Sequence, residues 1–161
     1  MITKTWKMIF TLLLRLLALT ATLAATLVMV TAHDSTEVMN FTFKAKYSYE
    51  PAFKYFVVAE AIASGYSLIV LFLSSKNSFS RLVMILDMVV AMLLISSVSA
   101  AMAVAYVGKK GNIHAGWLPI CGEVAKFCNQ ATGALISGFL AAIMYLLLLI
   151  YSLHDTAYWM S

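Results

Sequence analysis

Four long apolar segments limit what this chain can fold into. They run over Met8–Val30, Phe53–Leu73, Leu82–Val107 and Ala131–Leu153. Each reaches the length of about 20 residues that an α-helix needs to cross the hydrocarbon core of a bilayer. Helices are favoured over strands because backbone groups must be paired in lipid and because the runs lack the alternation of barrel strands. The sequence therefore predicts an all-α integral membrane protein, a four-helix transmembrane bundle that forms one domain over residues 1–161.

The composition excludes an ordinary soluble domain. Hydrophobic residues make up 63% of the chain and charged residues 11%, against roughly 45–50% and 25% in soluble domains. A basic surface for nucleic acid is not expected either, because the basic residues are scattered. The first apolar run exceeds the roughly 7–15 residues of a signal-peptide core and contains Arg15, so we expect it to be retained as a span. The expected environment is the lipid bilayer.

The loops give the orientation only indirectly. With both termini in the cytoplasm, basic residues would be slightly more numerous on the outer side. The positive-inside rule therefore slightly disfavours that orientation. Asn40 begins a glycosylation sequon in the first loop, and Cys121 and Cys128 both lie in the third. A disulfide between them would need an oxidising compartment. These features favour cytoplasmic termini, although a chance sequon and two free cysteines remain alternatives.

A Cys121–Cys128 disulfide carries a geometric condition. In one straight helix the two residues would lie about 10 Å apart along the axis. Their Cα atoms must come within about 7 Å to form the bond. We therefore expect a bend between them, near Gly122.

Two charged residues of opposite sign lie at matching depths in the predicted bundle. Arg15 is roughly 10 Å and Asp87 roughly 8 Å from the cytoplasmic side. Charges within a span are costly, at about 2.5–3.5 kcal/mol each on insertion scales. We expect an intramembrane ion pair between the first and third helices. The alternative is that Arg15 snorkels alone to the inner headgroups.

Glu60 is a third ionisable residue within a span and lies in the outer half of the bundle. Ser64 and Ser67 follow on the same helix face and could donate hydrogen bonds to it. One interpretation is a polar site for a cation or a proton. The other is a protonated carboxyl that bonds neighbouring helices as a structural element.

Small residues in the third and fourth spans permit close helix packing. In the fourth span they recur at a spacing of about four, in Gly133, Ser137, Gly138 and Ala142. The spacing does not say whether the contact lies within one chain or between copies. The fourth helix is therefore the first candidate for contact with another copy.

The sequence shows no catalytic or cofactor-binding constellation. His33, His114 and His154 are scattered and lack metal-ligand spacing. There is no phosphate-binding loop and no paired carboxylates. We expect neither an enzyme nor a metal or cofactor site.

The combination of these features resembles the Casparian strip membrane domain proteins of plants and their CASP-like relatives. An arginine in the first span, an aspartate in the third, and a tryptophan followed by two cysteines in the last outer loop carry the resemblance. The residues and stretches concerned are Arg15, Asp87, Trp117, Cys121, Cys128, Tyr49–Ile62 and Asn112–Cys128. The first outer loop, Ala32–Tyr49, lacks the aromatic, proline-containing signature of the Casparian members, so the chain resembles a general CASP-like protein.

The resemblance implies a MARVEL-related four-helix fold in the plasma membrane, with cytoplasmic termini. It implies a scaffold that self-associates, joins related family members and recruits cell-wall-modifying enzymes. The alternative is a subunit of a small-molecule or ion transporter or channel that uses Glu60. A tetraspanin- or claudin-type adhesion protein is less favoured, because the first outer loop has no cysteine.

Overall fold

The computed structural model describes residues 2–38, 41–73 and 80–160, and four long helices account for most of them. The helices are α1 (Ile2–Thr31), α2 (Pro51–Leu73), α3 (Ser80–Lys110) and α4 (Ala125–Met160). Each contains a segment that is long and apolar enough to cross a membrane. The predicted all-α, four-span architecture is confirmed, and every helix begins or ends beyond the predicted apolar run because polar ends extend it.

The helices form a four-membered bundle in which each packs against two neighbours. Helix α1 packs against α2 and α4, and α3 packs against the same two helices. Helices α1 and α3 therefore lie diagonally across the bundle, as do α2 and α4. A side-chain contact across either diagonal must pass through the centre.

Many small residues lie in the centre of the bundle beside a few large ones, and most large apolar residues face outward. Ala18, Ala59, Ala91 and Ala134 are almost completely buried. The outer surface instead carries exposed leucine, isoleucine, methionine and phenylalanine side chains, among them Leu17, Ile62, Met92 and Phe139. In water this arrangement would be unfavourable. In lipid it is expected, because small interior residues let helix backbones approach closely.

The first outer loop contains a β-hairpin that the sequence analysis did not predict. Strands β1 (His33–Val38) and β2 (Phe41–Lys46) pair antiparallel, with His33 opposite Lys46 and Val38 opposite Phe41. The predicted sequon at Asn40 lies outside the described residues. A short 3-10 helix, Tyr47–Tyr49, then leads into α2.

The third loop is short and folds back onto the end of α3. Gly111 ends the helix in a left-handed conformation, at φ 69°. A Cβ atom at this position would lie 2.7 Å from the carbonyl oxygen of Trp117, so glycine is required. The backbone N–H groups of Ile120 and Cys121 donate to the carbonyl oxygen of Gly108. The loop is thereby fixed against the last turns of α3.

Candidate functional site

Arg15 and Asp87 form a two-pronged ion pair at the centre of the bundle. Arg15 Nη1 donates to Asp87 Oδ1 over 3.1 Å, and Nη2 donates to Oδ2 over 2.7 Å. The exposed fractions of the two residues are 6% and 2%. This confirms the predicted pairing across the α1–α3 diagonal and excludes the snorkelling alternative, because the guanidinium points inward.

Tyr66 of α2 completes this site. Its hydroxyl donates to Asp87 Oδ1 over 2.8 Å and lies 3.1 Å from the carbonyl oxygen of Val83. The Arg15 guanidinium carbon lies 5.8 Å from the centre of the Tyr66 ring, within cation–π range. The sequence analysis missed Tyr66. Its depth was the available signal, since Tyr66 lies as far from the inner end of α2 as Asp87 lies from the start of α3.

The face of α1 around Arg15 explains how the pair fits inside a narrow bundle. Ala18, Thr22 and Ala25 are fully buried on that face. The Thr22 hydroxyl donates to the carbonyl oxygen of Leu19 on its own helix, so it needs no partner from another helix. Small side chains along one face allow the opposite helices to approach, as expected from the sequence.

Glu60 of α2 lies in a different environment. It is completely buried, and within the described part of the chain neither carboxyl oxygen has a hydrogen-bond partner. The serines expected to serve it are bonded elsewhere. Ser64 donates to the carbonyl oxygen of Ala61, and Ser67 lies 2.6 Å from the hydroxyl of Tyr145. The expected hydrogen bonds from Ser64 and Ser67 to Glu60 are therefore not formed, because the backbone and Tyr145 are nearer partners.

Tyr145 joins α4 to α2 beside Glu60. Its hydroxyl donates to the carbonyl oxygen of Ala63 over 2.9 Å and accepts the hydroxyl hydrogen of Ser67. Tyr145 is also among the largest fully buried side chains of the bundle. Ser67 and Tyr145 thus form a hydrogen-bond network that joins α2 to α4. Glu60 is not part of this network.

The small residues of α4 mostly face the inside of the bundle. A Cβ atom on Gly138 would lie 2.5 Å from Glu60 Oε1 and 2.7 Å from the ring of Phe56. Ala142 is buried, and the Ser137 hydroxyl donates to the carbonyl oxygen of Ala21 on α1. Of the four residues predicted for helix packing, only Gly133 faces open space. The spacing left open whether these residues pack within one chain or between copies, and the other three pack within the chain.

Two long-range contacts brace the outer end of the bundle. Cys121 and Cys128 form a disulfide with a Cα–Cα distance of 5.7 Å. The turn containing Gly122 separates Cys121 from the start of α4, which confirms the predicted bend. The Asp34 carboxylate of β1 accepts the backbone N–H of Lys126 at the N-terminal end of α4, where unpaired N–H groups favour an acceptor.

Trp117, which the resemblance singled out, is paired through its backbone while its side chain is 60% exposed. Asn112 and Trp117 exchange backbone hydrogen bonds of 2.8 and 2.9 Å. Ile113–Ala115 forms one 3-10 turn between them. The indole therefore stands on a fixed backbone and faces outward.

Among residues 2–38, 41–73 and 80–160, no group of three or more His, Cys, Asp and Glu side chains could hold a metal ion. Inside the bundle, these residues form one charged cluster, Arg15 with Asp87 and Tyr66, and leave one unbonded carboxyl, Glu60, nearer the start of α2.

Comparison with known proteins identifies close relatives over most of the chain. Residues 5–144 match the Casparian strip membrane protein domain. The chain is 61% identical over 148 residues to CASP-like protein 1C2 of Ricinus communis, covering 92% of this chain and 90% of that protein. It is 58% identical to CASP-like protein 1C1 of Vitis vinifera, over 92% and 93% of the two chains. It is 55% identical to CASP-like protein 1C1 of Arabidopsis thaliana, over 94% and 92%. No solved structure matches the chain.

Proposed function

The chain belongs to the Casparian strip membrane protein domain family, and we propose that it is a non-enzymatic scaffold that self-associates and organises a patch of plasma membrane. It is a multi-pass membrane protein with four spans. The scaffold role is the one that the family resemblance implies. The observation that carries self-association is the lipid-facing side of α3.

Helix α3 exposes two serines and an alanine among its large apolar side chains. Ser96, Ser99 and Ala103 all face outward. Their spacing of three and four places them on one face of the helix. The Ser96 hydroxyl accepts a hydrogen bond of 3.3 Å from Tyr55, which adds a second polar group to the same surface.

A face of this kind favours a protein neighbour over lipid. Small side chains let a second helix approach closely, and serine hydroxyls hydrogen-bond between helices within a membrane. Such interhelical hydrogen bonds contribute on the order of 0.6–2 kcal/mol each. We therefore assign the contact between copies to α3 rather than to the small residues of α4.

Cysteine crosslinking in membranes tests this assignment. The native cysteines are joined in a disulfide, so a single new cysteine is the only thiol for a short bismaleimide. We expect Ser99→Cys to give crosslinked homo-oligomers. Ala24→Cys, which faces lipid on α1, is the matched control and should stay monomeric.

A third variant, Gly133→Cys, tests whether copies contact each other through α3 or through α4. If Gly133→Cys crosslinks and Ser99→Cys does not, self-association stands but runs through α4. If neither crosslinks and single-particle images in lipid show one copy, the scaffold proposal fails. Rapid fluorescence recovery after bleaching in plant cells would contradict it as well.

We further propose that both termini lie in the cytoplasm and that the hairpin and the disulfide loop face the cell exterior. The disulfide supports this orientation, because such bonds persist in oxidising compartments. A protease site inserted after Gly122 should be cleaved from outside intact protoplasts, and one added at the N-terminus should not. The opposite pattern would reverse the orientation.

A transporter or channel subunit is the second candidate, and Glu60 is the observation that favours it. A fully buried carboxyl without a bonded partner is unusual in a structural role. A transporter should show an ion or solute flux in liposomes that Glu60→Gln abolishes. If the purified protein produces no flux above empty liposomes, this candidate is removed.

A further inference from the structure

The third loop, between α3 and α4, exposes several large apolar side chains. The exposed fractions are 92% for Ile113, 83% for Leu118, 60% for Trp117 and 52% for Ile120. Exposed apolar surface of this kind marks contact with another protein or with a membrane. These residues are not part of the bundle or of the α3 face assigned above to self-association.

The loop holds these side chains outward on a fixed backbone. Asn112 and Trp117 are paired, Ile120 is bonded to Gly108, and Cys121 is joined covalently to α4. A preformed surface loses little conformational entropy on binding. The apolar side chains are therefore held exposed in a fixed arrangement that a partner can contact.

The loop follows the outer end of the third span. Gly108 lies about 40 Å along α3 from Arg81, at 1.5 Å per residue. A hydrocarbon core is about 30 Å thick and spanning helices tilt, so with the exposed Arg81 at the inner edge Gly108 lies between the outer edge and about 10 Å beyond it.

The Tyr55–Ser96 hydrogen bond relates the loop to the start of α2. It fixes the level of α2 against α3. Along the helix axes, the start of α2 lies about 6 Å beyond this bond and Gly108 about 18 Å beyond it. The loop therefore lies about 12 Å farther along the bundle than the start of α2.

The charge around the loop selects among partners. Lys109, Lys110 and Lys126 are exposed beside it, against two acidic residues, Glu123 of the loop and Asp34 of β1, which accepts the backbone N–H of Lys126. A second copy would bring the same positive charge, so like charges disfavour contact between two such loops. An acidic surface would be attracted instead.

We propose that the surface formed by Ile113, Trp117 and Leu118 with Lys109 and Lys110 is a docking site for an acidic segment of an extracellular protein. Carboxylates of the partner meet the lysines, and its apolar side chains cover the isoleucine and leucine. A protein fits better than an acidic polysaccharide. Sugar rings stack on an indole but leave branched aliphatic side chains uncovered. The proposal deepens the scaffold role, on which it rests, by naming where a recruited partner binds.

Photo-crosslinking in plant cells tests the site, with Leu118→p-benzoylphenylalanine in the full-length chain as the probe. We expect one protein adduct whose crosslinked peptide is rich in Asp and Glu. Lys109→Glu with Lys110→Glu should lower the adduct yield by about tenfold or more, because both attractive charges become repulsive. Lys54→Glu is the charge control, since it is exposed on the outer part of α2, and it should leave the yield unchanged.

An adduct with lipid, with wall polysaccharide or with another copy of this chain would overturn the proposal and assign the surface to that occupant. So would a protein adduct that charge reversal leaves unchanged, or the absence of any adduct. Crosslinking through Ser99→Cys is measured in the same variants. It reports folding and self-association separately, so a failure of docking is distinguished from a failure of the scaffold.

Discussion

Two acidic residues are buried in this bundle, and their surroundings differ in almost every respect. Asp87 accepts two hydrogen bonds from Arg15 and one from Tyr66. Glu60 lies among Phe56 and Gly138 and, within the described residues, accepts none. Three hydrogen bonds therefore connect Asp87 to two other helices, α1 and α2. Glu60 is enclosed by packing alone.

The difference shows that burial and depth do not reveal what a carboxyl does inside a membrane. A buried charge is stable only when paired and hydrogen-bonded. Asp87 meets that condition, and the inner half of the bundle depends on it. Glu60 does not, so the outer half tolerates this side chain rather than depending on it. The following predictions test this contrast, from the largest expected effect to the smallest.

Breaking the ion pair should have the largest effect. Asp87→Ala leaves Arg15 charged, buried and unpaired. We expect a loss of about 3–5 kcal/mol in the free energy of unfolding, the usual cost of removing one partner. Thermal unfolding in nanodiscs measures it.

Charge reversal is the control for that experiment. Arg15→Asp combined with Asp87→Arg should fold better than either single reversal. If the double variant is no more stable than the worse single variant, the pair does not act as a unit and the contrast with Glu60 loses its basis.

Removing the tyrosine hydroxyl should have a smaller effect. Tyr66→Phe deletes one hydrogen bond to a charged group, and such bonds contribute about 1.5–3 kcal/mol. Tyr55→Phe is the matched control, because that hydroxyl is exposed and its bond to Ser96 is long at 3.3 Å. Equal losses in the two variants would mean that Asp87 does not need its third donor.

Packing around Glu60 should be sensitive to added volume. Gly138→Ala places a methyl group against the Glu60 carboxyl and the Phe56 ring, and we expect a loss of about 1–3 kcal/mol from overpacking. Gly133→Ala faces open space on the same helix and should stabilise by up to about 1 kcal/mol through helix propensity. If both substitutions stabilise the protein, α2 and α4 do not approach as closely as described.

Replacing Glu60 itself should have the smallest effect, and with the opposite sign. Glu60→Met removes two unbonded buried oxygens and keeps a flexible side chain of similar length. We expect the protein to gain about 1 kcal/mol, because an unsatisfied polar group is lost. A destabilisation comparable to that of Asp87→Ala would show that Glu60 has a bonded partner in the membrane, and it would favour the transport alternative.

Much of the charged site could be predicted from the sequence, because an isolated charge in a span demands a partner and few candidates exist. Arg15 and Asp87 were matched by sign and depth alone. Tyr66 was missed because tyrosine is common in spans and its partner depends on how α2 is rotated. The bonds that Ser64 and Ser67 could have made to Glu60 are absent for a different reason. A nearby carbonyl on the same helix competes for a serine hydroxyl, and only the packed structure shows which acceptor is nearer.

The sequence by itself determined the number of spans, the central ion pair and the bend that closes the disulfide. Each follows from a local or strongly constrained requirement: hydrophobic length, unpaired charge or bond geometry. The tertiary structure decided which faces of the helices look inward. It turned most of the small residues of α4 toward the centre, left Ser96, Ser99 and Ala103 of α3 facing outward, and placed Glu60 beyond the reach of any donor in the described chain. Helix rotation is set by the packing of all four helices together, and no single segment of sequence contains it.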